Sequence, residues 1–107
     1  MTRLSPADAE ALLASGGAVL VDVREPHEVA VGRIPGARHV PLRTLAASPR
    51  ANLEGDRPFL FVCAHGMRSL TACALAERAG LADVYSVDGG TSRWAAEGRP
   101  YEGAAVP

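Results

Sequence analysis

Two apolar runs, Ala18-Val19-Leu20-Val21 and Phe59-Leu60-Phe61-Val62, interrupt a chain in which apolar and polar positions are otherwise mixed. Neither run alternates, and β-branched and aromatic residues recur in them, which is the pattern of strands covered on both faces, as in a parallel sheet. Val84 to Val87 reads as a further strand. Between these segments the period lengthens to that of helices. Ser5 and Pro6 make an N-cap and first helical position, Asp8 favours the first turn, and Gly16-Gly17 ends the run after Leu12 and Leu13. The chain is therefore expected to open with a short helix. Glu25-Pro26 starts a helical turn through Val31, Ile34-Pro35-Gly36 makes a bend, and a short extended piece follows around His39 to Pro41. Leu42 to Arg57 carries no clear period. Ala72, Leu75, Ala76 and Ala79 then recur at helical spacing before Gly80, and after a Gly89-Gly90 turn Thr91 to Glu97 reads as a helix closed by Gly98 and Pro100. Tyr101 to Pro107 reads as a loosely held end.

Strands alternating with helices predict an α/β domain with a mainly parallel central sheet flanked by helices, in which ligands sit beyond the carboxyl ends of the strands. Cys63 falls at such an end. At 107 residues the chain fits one domain, residues 1–107, with no room for a second core. A formal net charge of -1 and the lack of like-charge runs argue against nucleic acid or a membrane surface as partner. Met1 to Pro6 lacks the features of a secretory signal, and no apolar run approaches the roughly 20 residues of a membrane helix, so a cytoplasmic protein is expected. Two cysteines, Cys63 and Cys73, are too few for a disulfide framework, and no Cys or His spacing suits a structural zinc site.

The chemistry concentrates in Cys63-Ala64-His65-Gly66-Met67-Arg68, with Ser69 next, between a strand and a helix. Backbone N–H groups of such a loop converge on the cysteine sulfur, and the helix dipole together with an inward-folded Arg68 guanidinium would favour thiolate over thiol. Surroundings of this kind lower a thiol from about 8.5 into the range of roughly 3.5 to 7.5. Gly66 supplies the positive φ or close backbone approach that a tight curl needs. Cys73 lies beside the apolar stripe of the following helix and reads as core rather than as a resolving thiol. Asp22, Arg24 and Glu28 read as scaffolding that holds loops together, Trp94 as packing, and His27 and His39 as solvated or locally bonded.

With these segments in view the chain resembles the rhodanese family over nearly its whole length. The resemblance rests on Val21-Asp22-Val23-Arg24-Glu25-Pro26 with Glu28, on Gly32-Arg33-Ile34-Pro35-Gly36-Ala37, on the six-residue Cys63 loop, and on Val87-Asp88-Gly89-Gly90 with Trp94. One departure is Arg33, where relatives often carry histidine. The resemblance implies a rhodanese-like three-layer fold and a sulfurtransferase. Cys63 would take a sulfane sulfur from a small anionic donor such as thiosulfate, hold it as a persulfide, and pass it to cyanide, a thiol or a protein acceptor, with no metal or organic cofactor. Ala64, His65, Gly66, Met67, Arg68 and Ser69 would form the substrate cradle, Arg68 positioning the anionic donor. His65, whose ordinary pKa of about 6.5 lies near working pH, could orient the donor.

Two other functions compete. A cysteine-dependent phosphatase or arsenate reductase of related fold would also use a thiolate in an amide cradle, but resembles a pattern with five residues between cysteine and arginine, whereas Cys63 and Arg68 enclose four. A rhodanese-like protein-binding module commonly lacks the cysteine that is present here. The natural donor and acceptor stay open among thiosulfate, 3-mercaptopyruvate, glutathione persulfide, thioredoxin and a cysteine desulfurase.

Overall fold

A computed structural model of the chain describes residues 1–55 and 57–104. Strand β1 (Thr2–Leu4) leads into helix α1 (Pro6–Ala14), whose N-cap Ser5 accepts a hydrogen bond from the Asp8 amide at 3.1 Å. Strand β2 (Val19–Asp22), helix α2 (Pro26–Val31) and the short strands β3 (Gly32–Arg33) and β4 (Arg38–His39) follow. Helices α3 (Leu42–Ala47) and α4 (Pro49–Asn52) precede β5 (Phe59–Val62), α5 (Met67–Arg78), β6 (Val84–Val87), α6 (Gly90–Ala96) and β7 (Glu102–Gly103).

The central sheet has the order β1-β6-β5-β2-β4, and every pairing in it is parallel. All four residues of β5, the middle strand, are buried. Because successive side chains point to opposite faces, Phe59 and Phe61 join Leu45, Leu53, Ala72, Cys73 and Ala76 on one side. Leu60 and Val62 join Ala9, Leu20, Ile34, Val87 and Trp94 on the other. Helices thus cover the sheet on both faces, which is why its inner strands read as unbroken apolar runs. The expected α/β architecture is present.

Three segments differ from the sequence reading. A strand, not a helix, comes first: Thr2, Arg3 and Leu4 pair in register with Tyr85, Ser86 and Val87. Three residues, two of them polar, carry no strand pattern of their own, and the neighbouring ladder supplies the order. Leu42 to Arg57 contains two short helices, separated at Ser48-Pro49 and anchored by buried Leu45 and Leu53. The chain end is held in part, since β7 pairs antiparallel with β3 and the Ala104 amide donates to the Val31 carbonyl at 3.0 Å. Residues 105–107 of that tail lie outside the described residues.

A charged pair sits inside this frame. Asp22 and Arg24, each 1% exposed, are joined by bonds of 2.8 to 3.1 Å, and Arg24 Nη2 also donates to the Gly32 carbonyl at 2.9 Å. Removing one partner leaves the other charge buried without compensation, which typically costs about 3–5 kcal/mol. Arg24→Met is expected to lower unfolding free energy by about that amount in urea titrations, and a loss below about 1 kcal/mol would show that the pair is not a determinant of the fold.

Candidate active site

The middle strand delivers Cys63 to the carboxyl edge of the sheet, where the chain curls around its sulfur. The Gly66 amide donates to Cys63 Sγ at 3.1 Å and the Ser69 amide at 3.4 Å, while Ser69 Oγ lies 3.7 Å away. Gly66 is the N-cap of α5 with φ 103°, a left-handed conformation that a side chain would strain. The convergence of loop amides on Cys63 expected from the sequence is therefore observed, with Gly66 at the turn.

What keeps the carbonyls off the sulfur is the start of α6. The Thr91 amide donates to the Cys63 carbonyl at 2.8 Å and the Ser92 amide to the Ala64 carbonyl at 3.1 Å. A Cβ at Gly90, itself at φ 61°, would run into both carbonyl groups. Gly90 thus lets the helix approach closely enough to bind the loop from behind. The Gly89-Gly90 pair opening a helix is visible in the sequence, but its partnership with the cysteine loop is not.

Arg68 lies at the mouth in a different arrangement from the inward fold expected. Its guanidinium forks onto Glu28, Nη1 to Oε1 at 2.6 Å and Nη2 to Oε2 at 2.9 Å. Two of the five guanidinium N–H groups are used in this way, leaving three for a ligand. Glu28 is fixed in turn by the Glu25 amide, which donates to it at 3.0 Å in a capping box at the start of α2. The hydrogen bond from Arg68 holds the Glu28 carboxyl well below its ordinary value, at about 2, against the opposing effect of partial burial. Asp22, Arg24 and Glu28 are thus engaged in ion pairs and hydrogen bonds with neighbouring loops, and His39 is locally bonded, its Nε2 lying 2.8 Å from the Arg24 carbonyl.

The other loop side chains divide by exposure. Ala64 is buried, His65 exposed and Met67 75% exposed, so the last two form the rim. Cys63 is only 1% exposed. Cys73 lies in the core, where burial pushes its thiol up to about 12. Trp94 is 2% exposed and donates to the Pro100 carbonyl at 2.8 Å, a packing role. A hollow of about 490 Å³ lined by Arg50, Arg57, Phe59 and Asp83 among others opens at the opposite, amino end of β5. Among the described residues that line it there is no cysteine, serine or histidine, whereas the loop holds a thiol.

The rhodanese-like domain family matches residues 5–97. The chain belongs to that family. Among curated proteins it is 45% identical to thiosulfate sulfurtransferase GlpE of Pseudomonas putida over 94 residues, covering 88% of this chain and 84% of that one. A rhodanese-related protein from Thermoplasma volcanium superposes with a TM-score of 0.85 at 31% identity, over 94% of this chain and 97% of the other. A Rhodopseudomonas palustris protein described as a possible tyrosine phosphatase has a TM-score of 0.83 at 33% identity, over 95% and 85% of the two chains. This family membership agrees with the resemblance read from the Cys63 loop and its flanking segments.

Because Glu28 is depressed from 4.5 to about 2 in the folded protein, its contribution to stability is complete above pH 4.5 and is lost as pH falls toward 2. Glu28→Gln is expected to flatten the acid limb of a stability-against-pH curve in that window, measured by urea unfolding at successive pH values. An unchanged acid limb would mean that the Arg68 pair does not contribute in solution.

Proposed function

We propose that this rhodanese-like chain, residues 1–107 acting as one domain, is a thiosulfate sulfurtransferase that carries sulfur as a persulfide on Cys63. The observation that carries the reading is the pair of amides, Gly66 and Ser69, directed at a cysteine sulfur within a loop that ends in Arg68. The name of the Pseudomonas putida relative supports thiosulfate as donor. In the first half-reaction the Cys63 thiolate attacks the outer sulfur of thiosulfate. A sulfur–sulfur bond forms to Cys63 as the bond to the sulfite group breaks, and sulfite leaves with that electron pair. In the second, an acceptor such as cyanide or a thiolate attacks the outer sulfur of the persulfide, and Cys63 departs as thiolate. Charge balances in both steps, and no metal or redox cofactor enters.

In this reading the loop residues have distinct parts. Its amides stabilise negative charge on the sulfur in the thiolate and the persulfide, in surroundings largely closed to water. Loading extends the reactive sulfur from the buried Cys63 Sγ by one S–S bond, about 2 Å. Arg68, steadied by Glu28, offers its remaining N–H groups to the sulfonate oxygens of thiosulfate. Ala64, His65 and Met67 line the approach, and the acceptor is a small nucleophile or a thiol, free or on a protein. A reducing, cytoplasmic compartment fits this cycle because it keeps Cys63 available. Among the described residues no helix is long and apolar enough to cross a membrane. The phosphatase alternative is disfavoured by the loop, which places four residues rather than five between Cys63 and Arg68.

Intact mass after thiosulfate treatment is expected to rise by one sulfur, about 32 Da by atomic mass, and to return after cyanide with release of thiocyanate. Cys63→Ser should abolish both changes. Reduced protein that gains no sulfur from thiosulfate or from a polysulfide would sink the proposal, and phosphate release from an aryl phosphate would then favour the phosphatase reading. Arg68→Ala is expected to raise KM for thiosulfate roughly tenfold with a smaller effect on kcat, because it removes binding shared by ground and transition states. An unchanged KM in steady-state thiocyanate assays would remove Arg68 from donor binding.

A further inference from the structure

Beneath the cysteine lies a polar pair in otherwise apolar surroundings. Ser86 occupies β6 between Tyr85 and Val87 and is 1% exposed, and its hydroxyl lies 2.7 Å from that of Ser69, which is fully buried. Among the described residues Ser69 is the only hydrogen-bond partner of the Ser86 hydroxyl, and a buried donor left unmade is costly, so the Ser86 proton points at Ser69 Oγ. Ser69 then accepts there, and its own proton has two acceptors in reach: the Gly66 carbonyl at 3.1 Å and Cys63 Sγ at 3.7 Å. With Cys63 as thiol, the S–H donates to Ser69 and Ser69 donates to Gly66. With Cys63 as thiolate, a turn of one hydroxyl brings the Ser69 proton onto the sulfur while Ser86 continues to donate behind it. A donor that is itself receiving a hydrogen bond donates more strongly.

We propose that Ser86 is a positioning residue, which by donating to Ser69 turns that hydroxyl into a stabiliser of Cys63 as leaving group when the persulfide gives up its sulfur. This rests on the persulfide reading above. The relay stands behind Sγ, on the inner atom of the persulfide, so it acts on the sulfur that departs rather than on the sulfur that is transferred. Leaving-group stability speeds thiol–disulfide-type exchange, whereas the same stabilisation makes an attacking thiolate less nucleophilic and offsets its greater abundance. Loss of Ser86 should therefore slow discharge more than loading.

The test compares wild type with Ser86→Ala, loading each with thiosulfate and following discharge by cyanide in stopped flow, with intact mass reporting the persulfide. Discharge is expected to fall about five- to tenfold, the scale of one hydrogen bond to a charged group felt in part at the transition state. The loading deficit should be smaller than the discharge deficit. Ser86→Thr, which keeps the hydroxyl, should restore discharge relative to Ser86→Val, and this pair of near-equal volume carries the same comparison if the alanine variant does not fold. Equal discharge in Ser86→Ala and wild type, or equal slowing of both steps, overturns the proposal. Wild type that loads normally while the variants show no selective defect sinks the relay alone. Wild type that never takes up sulfur sinks the persulfide reading and the relay with it.

Discussion

Every property of the cysteine loop depends on where two carbonyls go. Cys63 and Ala64 each carry an oxygen that would repel a thiolate if it faced inward, and both are drawn off by the amides of Thr91 and Ser92. With the carbonyls held on the α6 side, the amides of Gly66 and Ser69 are free to face the sulfur. A backbone that must satisfy its own polar groups is thereby made into a one-sided electrostatic surface. The parallel sheet is the means to this end. Pairing β6 beside β5 brings the turn after β6 next to the end of β5, and so brings the Gly89-Gly90 turn against the cysteine loop.

A second network fixes the mouth. The Asp22–Arg24 pair reaches the Gly32 carbonyl, β3 is tied to β7, and α2 between them presents Glu28 to Arg68. The arginine of the loop is thus held by a residue of α2 rather than by its own helix. Its position depends on residues 40 apart in sequence, brought together only by the fold.

That distance marks what could be read from the chain alone. The inner strands were legible because burial on both faces writes itself as unbroken apolar residues, as in Phe59 to Val62. The cysteine, the glycine turn and the arginine were legible because they are contiguous. Strand β1 was not, since its order comes from Tyr85 to Val87 rather than from Thr2 to Leu4. The direction of the Arg68 guanidinium, the docking of Gly90 and the pairing of Ser69 with Ser86 were hidden for the same reason: each is decided by a partner remote in sequence. Glu28 was noticed as scaffolding, but its particular partner was not.

The core position of Cys73 has a bearing on oxidative damage. A thiol pushed up to about 12 by burial supplies almost no thiolate at neutral pH, so it cannot compete as a nucleophile for an oxidised neighbour. Should Cys63 be carried to a sulfenic acid, Cys73 is therefore a poor resolving group, and rescue before irreversible oxidation falls to a thiol from outside the chain. The fold buries Cys73 away from such chemistry, and any recovery of an oxidised Cys63 then depends on the surrounding thiol pool.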